Sequence, residues 1–282
     1  MINKSWFKRF SVTGISLWLF ILVVLPALLL FSASFLSYDN NHFIIFKFSG
    51  KNYAELIDPL YLKVFWQSFK LSFITTLLCL LLGYPAAYFI AQVSPKYKSL
   101  LLLLLLVPFW TSSLIRTYAM IALLKTHGLI NSFLLWLGII HQPLQLLYNE
   151  AAVLAGLTYA LLPYMILPIY ANVEKLDYRL IDAAKDLGAN WWMRFSRIIL
   201  PLTVPGIING ILLVFLPSMT LFYIPVLLGG QRTLLVGNLI ESQFLEMQAW
   251  PAGAVTSVTL TIIMLILIAL TKRFLKNKQV DI

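Results

Sequence analysis

The residues best placed for specific work in this chain are a carboxylate, two alanines and a glycine at fixed spacing. They lie in the run Asp182-Ala183-Ala184-Lys185-Asp186-Leu187-Gly188, which is followed after nine residues by Ile198-Ile199-Leu200-Pro201. The chemistry on offer is recognition rather than bond-making. Asp177 has the side chain of a helix N-cap, and Gly188 stands where a helix end takes a left-handed residue, so a short helix is predicted over 178–187. On it Leu180, Ala184 and Leu187 share a face at i, i+4 and i+7, with Ile181 beside them. Ala183 and Ala184 are small enough to let another surface come close. Arg179, Asp182, Lys185 and Asp186 rim that face. Asn190 is expected to cap a second helix from Trp191 to Leu200, ended by Pro201. Such a helix–turn–helix presents a small apolar knob that suits a groove on a partner protein. An amphipathic loop lying on a bilayer is the alternative.

Bond-making constellations are missing from the sequence. His42, His127 and His141 are scattered without metal-ligand spacing, and Cys79 stands alone in an apolar run, so neither a metal site nor an intramolecular disulfide is expected. No G-x-S-x-G, H-E-x-x-H or Walker A sequence occurs. The chain is therefore read as a non-enzyme that binds no cofactor and no ATP of its own.

The elements that must position the knob follow from composition. The 282 residues are 60% hydrophobic and 11% charged, against about a quarter charged in soluble domains. Apolar runs long enough to cross a bilayer fall at 13–35, 65–93, 99–124, 151–171, 204–228 and 252–271. The first follows Lys4, Lys8 and Arg9 but is too long for a leader, and Ser32-Ala33-Ser34 is a poor cleavage site, so it is read as a retained span. Lipid leaves free backbone groups unpaired, and no barrel-like alternation is visible, so all six are expected to be helices of an all-α membrane protein. The net charge of +10 reflects Lys and Arg flanking the spans rather than nucleic-acid binding. With residues 1–12 and 272–282 in the cytoplasm, only Lys47, Lys51, Lys63, Lys70, Arg116, Lys125 and Arg232 of the 21 basic residues fall outside or within spans. That bias favours both termini inside and puts the segment 173–202 in the cytoplasm. Outside lie aromatic segments at 37–64 and 125–150, the latter with a short apolar stretch, 133–140, read as interfacial or re-entrant. A further outer segment at 229–251 carries Glu241, Glu246 and Trp250. These aromatics form an interfacial belt or a docking surface for a delivery protein.

The Asp182–Pro201 pattern resembles the coupling loop of ABC importer permeases, E-A-A-x-x-x-G-x9-I-x-L-P, with Asp182 in place of Glu. Asp182, Ala183, Ala184, Gly188, Ile198, Leu200 and Pro201 match its fixed positions. Pro108-Phe109-Trp110, Leu114-Ile115-Arg116-Thr117-Tyr118, Gly128-Leu129-Ile130-Asn131, Leu162-Pro163-Tyr164, 201–207 and Leu227-Leu228-Gly229-Gly230 look like the polyamine subgroup of that family. The resemblance covers about 65–271. It implies the ABC importer type I permease fold in a bacterial inner membrane. It also implies a pair of ATP-binding subunits below, a second homologous six-span permease alongside, and a periplasmic substrate-binding protein. The substrate it implies is spermidine or putrescine. Ferric ion, thiamine, sulfate and phosphonates are handled by similar permeases.

The passage for cargo is less distinct in the sequence. Pro217, Pro225, Gly229 and Gly230 interrupt the fifth span, and broken helices line cavities in transporters. Ser218, Thr220, Phe222 and Tyr223 between them are candidates for its wall, with Trp110 along it and Glu150, Glu241 and Glu246 at the outer mouth. A kinked structural helix and ordinary surface charge are the plain alternatives. Arg116 is expected to snorkel to the outer interface, with an ion pair or a pathway role as the other reading. A carrier driven by protons or sodium would need carboxylates inside the spans, and none lies clearly there.

Overall fold

The computed structural model describes residues 4–39, 42–230 and 233–280. Among these, six helical segments are long and apolar enough to cross a membrane: Val12–Ala33, Pro59–Gln92, Ser113–Trp136, Glu150–Val173, Trp191–Thr220 and Trp250–Arg273. The chain divides into two compact units, residues 1–62 with 239–265, and 63–238 with 266–282.

The first unit opens with α1 (Lys4–Leu19) and α2 (Leu25–Ala33), joined by a π-turn. Their described apolar side chains stand almost wholly exposed, the pattern of a span that meets lipid. Next comes a feature absent from the sequence reading of 37–64, an antiparallel hairpin of β1 (Leu36–Asp39) and β2 (His42–Phe48). Phe35 stacks on Phe48 with ring centroids 5.5 Å apart. In α3 (Lys51–Glu55), Asn52 Nδ2 donates to the Leu36 carbonyl at 2.8 Å, and Tyr53 OH pairs with Ser34 Oγ at 2.8 Å. Phe46 is left 93% exposed. The same unit holds a short π-turn, Ser242–Glu246, where buried Gln243 donates to Tyr61 OH at 3.2 Å.

The second unit is built around α8 (Glu150–Val173), packed on α11 (Leu200–Thr220) and on α4 (Pro59–Gln92). Cys79, Ala87, Leu161, Met165, Ile166, Ile169 and Val214 form its core. Glycine makes the approach possible. A Cβ on Gly206 would lie 2.7 Å from the Pro168 carbonyl, and one on Gly210 would lie 2.6 Å from Met165 Sδ. The two are four residues apart on one helix face, the small-xxx-small spacing that brings membrane helices together.

Two expected spans are redrawn. The run 99–124 is divided rather than continuous: α5 (Pro95–Leu106) runs into a 3-10 turn, Val107–Trp110, and Thr111 and Ser112 are extended before α6 (Ser113–Leu124) begins. Pro108 lacks a donor to carry the helix on, and Thr111 Oγ1 donates to its carbonyl at 2.7 Å instead. The expected 204–228 helix begins earlier and stops at Thr220, where Leu221 is extended (φ −64°, ψ 109°). Its last turn before the break is held by side chains, with Ser218 Oγ donating to Phe215 O at 2.7 Å and Thr220 Oγ1 to Pro217 O at 3.1 Å.

Candidate functional site

The segment after α8 takes the expected shape at its first half. Asp177 caps α9 (Tyr178–Asp186), its Oδ1 accepting from Arg179 N–H at 3.0 Å. The helix ends in a Schellman turn. Gly188 N–H donates to Lys185 O, Ala189 N–H donates to Ala184 O, each at 2.9 Å, and Gly188 sits at φ +80°. No atom lies within 4 Å of where a Gly188 Cβ would point, so within this chain the glycine answers to backbone conformation, not crowding. Leu187 is 88% exposed, and Leu180, Trp191 and Trp192 are exposed beside it in the sequence. Asp182 and Ala183 are exposed and Ala184 is half-buried. An apolar knob with carboxylates at its rim is thus presented to solvent. Burial, and then the Glu174 carboxylate, push the Tyr178 phenol up from its usual range.

The second half departs from the reading. Asn190 does cap α10 (Trp191–Arg194), its Oδ1 accepting from Met193 N–H at 2.8 Å. Pro201 does not end the helix. A π-turn, Phe195–Ile199, precedes α11, and the Leu200 N–H reaches back to Phe195 O. The wider turn gives room for a proline in the next turn, so the helix runs on from the knob into the span. Of the motif residues here, Ile198, Leu200 and Pro201 are half-buried, while Ile199 between them is buried. Phe195 is the tie that the sequence did not disclose. It stacks on Trp191 at 5.3 Å and meets Tyr84 of α4 edge-on at 5.8 Å. Tyr84 OH in turn pairs with Thr203 Oγ1 of α11 at 3.1 Å. Packed rings thus run from Trp191 to α4, and a hydrogen bond joins α4 to α11.

The other site is a cavity of 460 Å³ where the two broken helices face each other. Its wall includes Phe109, Thr111, Ser113 and Arg116 from the first break, and Pro217, Leu221 and Tyr223 from the second. Ala160, Leu161 and Tyr164 of α8 and Leu213 of α11 complete it. Freed backbone groups at the second break are met by a buried amide. Asn238 Nδ2 donates to Phe222 O at 2.7 Å, while its Oδ1 accepts from Leu235 N–H at 3.1 Å.

Of the expected passage residues, the structure brings Tyr223 to this cavity. Phe222 packs edge-on against Tyr223 at 6.1 Å without lining the cavity. Ser218 is fully buried, and Thr220 is exposed, bonded to its own helix. Trp110 is 78% exposed, next to lining residue Phe109. Glu241 belongs to the other unit and is half-buried there, and Glu246 is exposed. Glu150 is already engaged, with Lys70 at 3.3 Å and Gln67 at 3.0 Å. Arg116 was expected at the outer interface, with an ion pair or a pathway role as the other reading. Its guanidinium lies 4.2 Å from the Phe109 ring centroid, in the cavity wall. The signal for the first break was present in Pro108 and the cluster Thr111-Ser112-Ser113, a proline stop followed by helix-start residues.

The binding-protein-dependent transport system inner membrane component family matches residues 80–277. The spermidine/putrescine transport system permease protein PotB of Salmonella typhimurium is 48% identical over 285 residues, covering 100% of this chain and 99% of the relative. PotB of Escherichia coli is 49% identical over 267 residues, covering 94% and 97%. Among solved structures, a bacterial ABC transporter involved in import of the acidic polysaccharide alginate superposes with TM-score 0.80, covering 98% of this chain and 97% of that one at 16% identity. At that identity the likeness speaks for the fold, that of an ABC importer permease.

Proposed function

We propose a function from one premise: this chain belongs to the family of binding-protein-dependent transport system inner membrane components. It is a multi-pass permease subunit of an ABC transporter and not itself an ATPase. In our reading its cargo is a linear polyamine, spermidine or putrescine. The observation that carries this is near-half identity to spermidine/putrescine permeases along the entire chain. Tyr164 and Tyr223 line the cavity, and a tyrosine ring can attract an ammonium group by roughly 0.5–2 kcal/mol.

The working unit in this reading pairs the chain with a second six-span permease in a bacterial inner membrane. A periplasmic binding protein delivers cargo to the outer side. Two ATP-binding subunits engage the knob at Asp182, Ala183, Ala184, Leu187 and Gly188 from the cytoplasm, where both termini also lie. The movement passes through Phe195 to Tyr84 and α11, and changes the cavity between the helix breaks. An ion-driven carrier is disfavoured because no Asp or Glu is buried among the described residues.

The test is uptake of radiolabelled spermidine and putrescine by a strain deleted for its own polyamine permeases and complemented with this chain and its partner subunits. Saturable uptake that each polyamine competes for is expected. Uptake of ferric ion, thiamine or sulfate in place of polyamines would overturn the substrate and leave the permease class standing.

A further inference from the structure

The cavity wall carries one charged group, and its sign is opposite to what a cation site would call for. Arg116 stands one turn into α6 with its Cζ 4.2 Å from the centroid of Phe109 and 5.9 Å from that of Tyr159. Its Nε and Nη1 are buried without a hydrogen-bond partner. Neither of the ion pairs among the described residues includes it, and no Asp or Glu lines the cavity. The wall thus holds a positive charge with no carboxylate beside it among the lining residues. Arg116 also covers a face of Phe109, so that face is closed to a cationic cargo.

We propose that Arg116 is the charge filter of the passage, a specificity-determining residue that stops a polycation from resting in the cavity while Tyr164 and Tyr223 let it pass. This rests on the polyamine reading. Cation–π contact on the tyrosines draws the ammonium groups in, and repulsion from Arg116 offsets that attraction. The cavity then transmits cargo without retaining it, so release is not limited by tight binding inside the membrane. Removal of the charge converts a passage into a trap.

The test uses the whole transporter, with partner permease and ATPase subunits, in lipid nanodiscs. Equilibrium binding of radiolabelled spermidine is measured without the binding protein, and uptake is measured with it. Arg116→Gln should bind spermidine roughly tenfold tighter than wild type or more, as expected for unit charges a few ångströms apart at limited screening. Its maximal uptake should fall several-fold, because release becomes slow. Ser113→Asp places a carboxylate one helical turn from Arg116 on the same face and leaves the arginine in the chain. It should move binding and uptake in the same two directions, and it decides the matter if Arg116→Gln does not assemble. Mere structural damage lowers uptake without raising binding. If the wild type imports spermidine while the charge-altered variants bind it no tighter, the filter is overturned and the polyamine reading stands. If the wild type imports no polyamine, both fall.

Discussion

Replacement of Gly188 gives a sharp test of the knob, because the structure separates two costs that usually come together. A Cβ there meets nothing within 4 Å, so the isolated chain has room for a side chain. The cost is conformational: φ is +80°, and a non-glycine residue in the left-handed region loses about 1–2 kcal/mol, more when β-branched. If the turn relaxes instead, two Schellman hydrogen bonds are lost, each worth about 0.5–1.5 kcal/mol. Either way Gly188→Ala should reduce the population of the docking-competent turn roughly 5–30-fold. Gly188→Val should reduce it further, and Gly188→Asn should be mild because Asn tolerates this region. The assay is ATP-dependent uptake at matched membrane levels, with co-purification of the ATPase subunits as a second readout. The expected order of uptake is wild type, then Asn, then Ala, then Val near zero, with insertion unchanged. Normal uptake by the valine variant would refute the reasoning, since its strain has no other outlet. Equal loss in Asn and Val would instead make the site one of contact with the partner.

Other outcomes follow from the same geometry. Asp182→Ala should weaken ATPase binding by under about 1 kcal/mol, as an exposed charge contact does, measured by titration of the subunits; a loss as large as that of Gly188→Val would contradict a rim position. In a Cys79→Ala background, Lys47→Cys on the exposed hairpin and Gln279→Cys should react with an impermeant thiol reagent from opposite sides of the membrane; labelling from one side would defeat the six-span orientation. Gly206→Leu should destabilise the purified protein by about 1–3 kcal/mol through overpacking against Pro168 and Asn172. Gly14→Leu, with open space around it, should leave the melting temperature near wild type, and equal effects of the two would remove the close-packing argument.

The turn after α9 was legible because its signals are local. Asp177, Gly188 and Asn190 each satisfy backbone groups a few residues away, and sequence spacing determines such bonds. The membrane class was legible for the same kind of reason, since apolar length alone decides it. Pro201 misled because a proline stop is only a tendency, and no local spacing signals the π-turn before it, 195–199, whose Phe195 meets Tyr84 of another helix. Ser218 and Thr220 show a use that spacing does not reveal, since each hydroxyl donates to a carbonyl of its own helix beside the break. The cavity was largely illegible. Its wall joins Phe109 and Arg116 to Leu213 and Tyr223, residues about a hundred positions apart, and no spacing rule links them. The hairpin at 36–48 was hidden by aromatics that an interfacial belt explains equally well.

The central claim is that this chain is the polyamine-conducting half of an ATP-driven importer. Its most direct test is reconstitution of purified subunits in proteoliposomes with ATP on the side of the ATPase subunits and labelled spermidine, with the binding protein, on the other. Spermidine should accumulate only when this chain, its partner permease, the ATPase, the binding protein and hydrolysable ATP are all present, and the Gly188→Val variant should abolish accumulation without dissociating the two permeases. Accumulation that persists without ATP, or without this chain, would contradict the account.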